Sequence, residues 1–122
     1  YCTEGQRVTK FDKAWLETLH QDTCKSCCEV MSQKNSDYAN PEHSLNVFAN
    51  FEASRVFGIH PVMGLLLRVL DKLKRIQSFV QKGELAVSEE SWGDACDDVI
   101  NYMILCKGLL VKESQENQDV SE

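Results

Sequence analysis

At 122 residues the chain is long enough for one globular domain and too short for two. A net charge of −6 argues against a nucleic-acid-binding surface, which needs a clustered basic face, and no apolar run approaches the ~20 residues of a membrane span. Six cysteines are too few for a disulfide scaffold, and the opening YCTEGQRVTKFDK lacks the apolar core of a signal peptide, so the thiols read as reduced and the protein as cytoplasmic.

Residues 10–34 read as a first helix, with Phe11, Trp15, Leu16, Leu19, Thr23, Cys27, Val30 and Met31 at helical spacing. KNSDYANPEHS follows, with the Asn, Ser, Asp and Pro content of a turn or ordered loop. Ser44 is placed to cap a short second helix, LNVFANFEASRVFG, which Gly58 ends. Pro61 opens a third helix running to about Val80, whose apolar positions include Leu66, Val69, Leu70, Leu73 and Ile76. QKGEL stops it. Ser88, with Glu89 and Glu90 behind it, opens a fourth helix to about Lys112, because acids near a helix N-terminus complement its dipole. The polar residues 113–122 read as a disordered tail beyond a single helical domain spanning 1–112.

No segment alternates with period two for long enough to form a strand. The expected fold is all-α, a bundle of four or five helices. Helices this apolar on more than one face imply a homo-oligomer, a dimer first, that buries the excess.

Two polar stripes interrupt the apolar helices. On the fourth, Glu90, Asp94, Asp98 and Asn101 fall at i, i+4, i+8 and i+11 on one narrow line, while Glu89 and Asp97 point elsewhere and read as surface charge. Like charges four apart repel, so local helix stability does not explain the arrangement, whereas a divalent cation would relieve it. On the third, Arg68, Asp71, Lys72 and Arg75 sit inside LLLRVLDKLKRIQ. One reading makes the two stripes interhelical ion pairs. The other makes them the walls of a pocket for a phosphorylated ligand, completed by Lys34, Asp37, Tyr38, Asn46, Asn50 and Phe51.

Other signals are weaker. His20, Cys24 and Cys27 fall at i, i+4 and i+7 and offer three soft ligands to zinc, but no second C-x-x-C completes the set. Cys27, Cys96 and Cys106 also fit apolar helical positions, where cysteine behaves as a small hydrophobe. His43 and His60 flank turns and read as caps or surface residues, and Trp15 and Trp92 as packing anchors.

The segments KNSDYAN…NVFANFE, GIHPVMGLLLRVLDKLKRI and EESWGDACDDVINYMIL together resemble the phage nucleotide-modification-associated helical domain. Its outline is a K-N-x-D-Y-G loop, an N-F pair, an R-x-x-D-K-x-x-R helix and an E-S-x-x-D-x-x-x-D-x-x-N-Y helix. The resemblance covers roughly residues 34–110, with Ala39 where the pattern has glycine. That domain is similar in turn to the all-α nucleoside triphosphate pyrophosphohydrolases, the MazG-like enzymes and dimeric dUTPases.

The resemblance implies a bacteriophage protein that binds Mg²⁺ and hydrolyses a (deoxy)nucleoside triphosphate or modified nucleotide in the host cytoplasm. Asp71, Glu90, Asp94 and Asp98 become the metal acids, with Glu90, Asp94 and Asp98 also catalytic. Arg68, Lys72 and Arg75 become phosphate contacts. Lys34, Asp37, Tyr38, Asn50, Asn101 and Tyr102 become sugar or base contacts. The enzyme group pairs an E-x-x-E helix with an E-x-x-D helix, whereas the third helix here offers Asp71 without an acid three or four residues away; Glu52 is a further acid nearby in sequence. A nucleotide-binding protein without chemistry, sequestering or regulatory, and a structural helical adaptor are the other functions the pattern admits.

Overall fold

Two glycines and a proline set the limits of the central helix. Gly58 adopts φ 72° and Gly83 φ 69°, left-handed conformations that other residues enter only with strain. Between them Pro61 occupies the first helical position, where its missing N–H costs nothing. His60 caps that end, its Nδ1 accepting from the Val62 N–H at 3.1 Å, and Gly83 closes the other end by donating to the carbonyls of Phe79 and Val80.

The computed structural model describes residues 10–38, 48–83 and 89–121, with the side chains at 35–38, 49–50, 89–91 and 119–121 outside that description. Four α-helices occur in chain order: α1 (Lys13–Tyr38), α2 (Ala49–Glu52), α3 (Pro61–Lys82) and α4 (Glu89–Ser121), with a 3₁₀ turn at Ala53–Phe57 between α2 and α3. The fold is therefore all-α over the described residues, but with three long helices rather than the four or five expected. The second segment shrinks to one α-turn and one 3₁₀-turn. Ser54 is the local cause: its Oγ lies 3.0 Å from the Phe51 carbonyl and 3.2 Å from that of Ile59, and a serine bonding nearby backbone competes with helix continuation. The expected Ser44 and Ser88 caps lie outside the described residues.

Two helix ends also move. α1 continues to Tyr38, so Lys34 and the following residues belong to its last turn and not to a loop. Asn and Ser lower helix propensity by only tenths of a kcal/mol, roughly, and no proline intervenes before Pro41. α4 continues to Ser121, through the stretch expected as a disordered tail. Glu, Gln and Lys are good helix formers, and Lys112 pairs with Glu116 at 2.6 Å one turn on.

α3 and α4 form an antiparallel hairpin. Lys72, midway along α3, lies opposite Asp98, and His60, at the start of α3, lies opposite Glu113 far along α4. α3 turns Val62, Leu65, Val69, Lys72, Ile76 and Phe79 toward α4, a 3-4-3-4-3 spacing whose members are all buried or partly buried. Leu65, Cys106 and Leu109 make the centre of the core, with Phe48, Phe51, Val62, Tyr102 and Leu105 packed around it. Burying Leu65 alone contributes on the order of 2 kcal/mol.

α1 touches α4 but not α3 among the described residues. Asp12 caps its start, accepting from the Trp15 N–H at 2.9 Å. Of its expected apolar stripe, Cys27 is buried and Thr23 and Met31 partly so, while Phe11, Trp15, Leu16, Leu19 and Val30 are exposed. Trp15 packs edge-on against Phe11, ring centroids 5.2 Å apart, at the surface.

Candidate functional site

One side of the α3/α4 hairpin gathers the polar stripes. In α4, Asp94, Asp98 and Asn101 share a line because about 3.6 residues make a turn. In α3, Lys72 projects to the same groove and its Nζ sits 3.0 Å from Asp98 Oδ2, both side chains partly buried. Asp71, the residue expected to face the acids, is rotated by about 100° from its neighbour and is exposed. Lys72 takes that place.

Arg68 stands over the Phe51 ring, its guanidinium carbon 5.6 Å from the centroid, and it and Arg75 are exposed. Asp94 is exposed as well, while Tyr102 is partly buried against the core. Lys34 is exposed on α1. The side chains of Asp37, Tyr38, Asn50 and Glu90 lie outside the described residues, as does Asn46.

Asn101 is the most telling member. It is 9% exposed, the one buried polar or charged residue among those described, and its Oδ1 has no hydrogen-bond partner among them. A buried carbonyl oxygen left unpaired costs roughly 1–3 kcal/mol, and native folds seldom leave one without a use.

Asp97, expected as surface charge pointing away from the stripe, sits differently in the fold. It is partly buried against α1, and the Cys27 Sγ–H donates to its backbone carbonyl across 3.8 Å. Burial pushes the Asp97 carboxyl above the usual range, with Asp94 and Asp98 adding to the effect and a hydrogen bond from Cys27 opposing it. Burial likewise raises the Cys27 thiol, and so does Asp97. Adjacent turns of α4 thus bring three acids together, and Lys72 pairs with one of them. The Cys27 contact depends on where α1 crosses α4, which no local pattern signals.

The donor set suits a hard cation in kind: Asp94, Asp98 and the Asn101 amide carbonyl offer oxygens. Among the described residues no group of three or more His, Cys, Asp or Glu side chains is close enough to hold a metal. A Mg²⁺ ion here would rest on one or two carboxylates and on ligand phosphates, its usual mode of binding. At the other candidate cluster, His20 Nδ1 and Cys24 Sγ are 3.8 Å apart and exposed, while Cys27 turns away into the α4 contact.

Away from the stripe, charges tie the hairpin's open end together. His60 Nε2 lies 2.6 Å from Glu113 Oε2, and Lys112 Nζ lies 3.0 Å from Glu52 Oε1. Hydrogen bonds to Glu116 and Glu52 hold the Lys112 ammonium above its ordinary range. Glu52, an acid free for a ligand on sequence grounds, is engaged here. Phe48 packs across α4: a Cβ on Gly108 would lie 2.8 Å from its Cζ, so glycine is what lets the ring lie on the helix. Two open grooves of about 500 and 570 Å³ run beside the C-terminal half of α4, around Leu110 and Ser114, away from the acids.

No family model matches the chain, and no curated protein or solved structure matches it either.

Proposed function

We propose that the polar side of the α3/α4 hairpin binds the phosphates of a (deoxy)nucleoside triphosphate or modified nucleotide with Mg²⁺, and that the protein acts as a nucleotide pyrophosphohydrolase of the all-α kind. The observation that carries this is Asn101: a buried amide oxygen without a partner among the described residues, in line with Asp94 and Asp98 and beside the cationic face of α3. Asp94, Asp98 and Glu90 are the acids for the cation, with Asp71 a further candidate from the exposed face of α3. Mg²⁺, when bound, neutralises phosphate charge and acidifies a bound water. A spare carboxylate of the stripe would serve as general base toward an attacking water. Arg68, Lys72 and Arg75 supply positive charge for the leaving pyrophosphate, and Lys34, Asp37, Tyr38, Asn50 and Tyr102 are candidates for sugar and base. The ordered motifs over residues 34–110 support the same reading, as a phage-type nucleotide-modification-associated domain working in the cytoplasm as a homodimer or higher homo-oligomer.

The Lys72–Asp98 pair favours a second reading, in which the protein holds a nucleotide without hydrolysing it, because Lys72 already neutralises an acid the cation would need. Incubation with a panel of nucleoside triphosphates and Mg²⁺, with pyrophosphate as the readout, separates the two. Release of pyrophosphate that Asp98→Asn abolishes is expected. Tight binding of one nucleotide without release selects the second reading. If neither occurs and Asp98→Asn only raises thermal stability, the stripes are structural ion pairs and both nucleotide readings fail.

A further inference from the structure

α1 is anchored to the hairpin through a cysteine. Among its described side chains only Cys27 is buried, at 1% exposed, with Thr23 and Met31 partly so. The Cys27 Sγ–H donates to the Asp97 carbonyl of α4. Cysteine packs as a small hydrophobe, but its sulfur, unlike a methyl group, can be oxidised. The surrounding sequence is HQDTCKSCC, with Cys24 three residues before Cys27 and Cys28 next to it. All three are free thiols, and Cys24 and Cys28 are exposed.

Cys24 is the thiol placed to react first. It is open to solvent, and His20 Nδ1 lies 3.8 Å from its sulfur, where an unprotonated ring nitrogen accepts the thiol proton. Burial, then Asp97 and Cys24, push the Cys27 thiol up, so Cys27 stays protonated while Cys24 meets solutes. Cys27 is also the nearer partner. Helix geometry sets Cα atoms three residues apart at about 5 Å, against about 6 Å for the four-residue step to Cys28, and a disulfide spans roughly 4.4–6.8 Å.

We infer that Cys24 and Cys27 form a peroxide-oxidisable pair whose disulfide releases α1 from α4. Cys24 gives its proton to His20, and the thiolate sulfur attacks one oxygen of hydrogen peroxide. The O–O bond breaks, and the departing hydroxide takes the proton back from His20 as water, leaving Cys24 as a sulfenic acid. The Cys27 sulfur then attacks the Cys24 sulfur. The S–O bond breaks, and the hydroxyl leaves with the Cys27 proton as a second water. Two thiols have lost two electrons to one peroxide, and a dithiol reductant reverses the change. Cβ atoms three residues apart in a helix stand about 5–6 Å from each other, whereas a disulfide needs about 4 Å. Closing that gap distorts the turn and draws Cys27 back along α1, off the Asp97 carbonyl. Nothing in this chemistry requires a bound nucleotide.

Peptide mapping of the full chain after hydrogen peroxide tests it, because Lys25 lies between the two cysteines. Trypsin cuts there, so the disulfide holds fragments 14–25 and 26–34 together until dithiothreitol parts them. The linked pair is expected in wild type and in Cys28→Ser, and is lost in Cys24→Ser and Cys27→Ser. His20→Gln should slow its appearance by roughly tenfold or more; an unchanged rate removes His20 from the step. Amide hydrogen exchange of residues 13–38 should rise in oxidised wild type, return on reduction, and stay unchanged by peroxide in Cys24→Ser. A wild type that never links overturns the proposal, as does a link that survives Cys27→Ser or disappears in Cys28→Ser. Linked protein whose α1 exchange equals that of the reduced chain overturns the release. If Cys27→Ser loosens α1 by itself, the Cys24→Ser and Cys28→Ser variants still decide, since both residues are exposed.

Discussion

The two sides of one helical hairpin solve opposite problems with the same backbone. On one side, α4 lines up acids and a buried amide that its own chain satisfies only in part: Lys72 meets Asp98, while Asn101 Oδ1 meets nothing described. On the other, α3 and α4 display leucine and methionine at core-like spacing to water. Unpaired polarity inside and unpaired apolarity outside are both costly, by roughly 1–3 kcal/mol for a buried acceptor and about 25 cal/mol per Å² of apolar surface left in water.

Both sides hang on the shared seam, so the largest effect comes from cutting it. Leu65→Ala should lower stability by about 2–5 kcal/mol in denaturant titration, since Leu65 is 1% exposed at the centre of the core; a loss below about 1 kcal/mol would mean the hairpin is not the common frame. Next is the contact of Phe48 with α4. Gly108→Val drives a branched side chain into that ring, because even a Cβ at this position would lie 2.8 Å from Phe48 Cζ. The expected loss is roughly 1–3 kcal/mol in the same titration.

Lys72→Met leaves the partly buried Asp98 beside Asp94 and Asp97 without its cation. The expected loss is about 1–2 kcal/mol, and added Mg²⁺ should restore melting temperature in the variant more than in wild type. Equal Mg²⁺ response in both proteins would break the claim that this side suits a cation. Asn101→Leu sharpens the comparison, because it makes the polar side resemble the apolar one. Stability should rise by up to ~1 kcal/mol as the unpaired oxygen disappears, while nucleotide binding is lost; a destabilised variant that still binds would show the amide to be structural.

The smallest effect is in pH. Burial and two like-charged neighbours raise the Asp97 pKa in the fold above its ordinary 3.8. The folded chain therefore binds a proton more tightly than the unfolded chain, and this carboxyl's contribution to stability falls as pH rises through the interval above 3.8. Asp97→Asn should stabilise at neutral pH, and the gain should fade as pH drops toward 3.8. A gain that grows on acidification would reverse the assignment.

Much of this arrangement is legible in the residues. The limits of α3 follow from Gly58, Pro61 and Gly83, whose backbone preferences act over a few residues. His60 as a cap follows from its place before Pro61, and the line of Asp94, Asp98 and Asn101 follows from helical period alone. The shortening of the second helix is not legible, because Ser54 bonding to Phe51 and Ile59 depends on the turn it helps to make. Nor is the reach of α4 to Ser121, since a polar composition favours solvated helix and solvated coil almost equally.

Local chemistry, then, determined that the chain is helical, where α3 begins and ends, and which side chains share a stripe. Only the tertiary structure decided which stripe meets which. A rotation of one residue puts Lys72 on Asp98 and turns Asp71 to solvent, and the crossing of α1 buries Asp97 against Cys27. Helical periodicity sets angles within one helix, whereas the angle between helices comes from packing Leu65, Cys106 and Leu109, side chains distant in sequence.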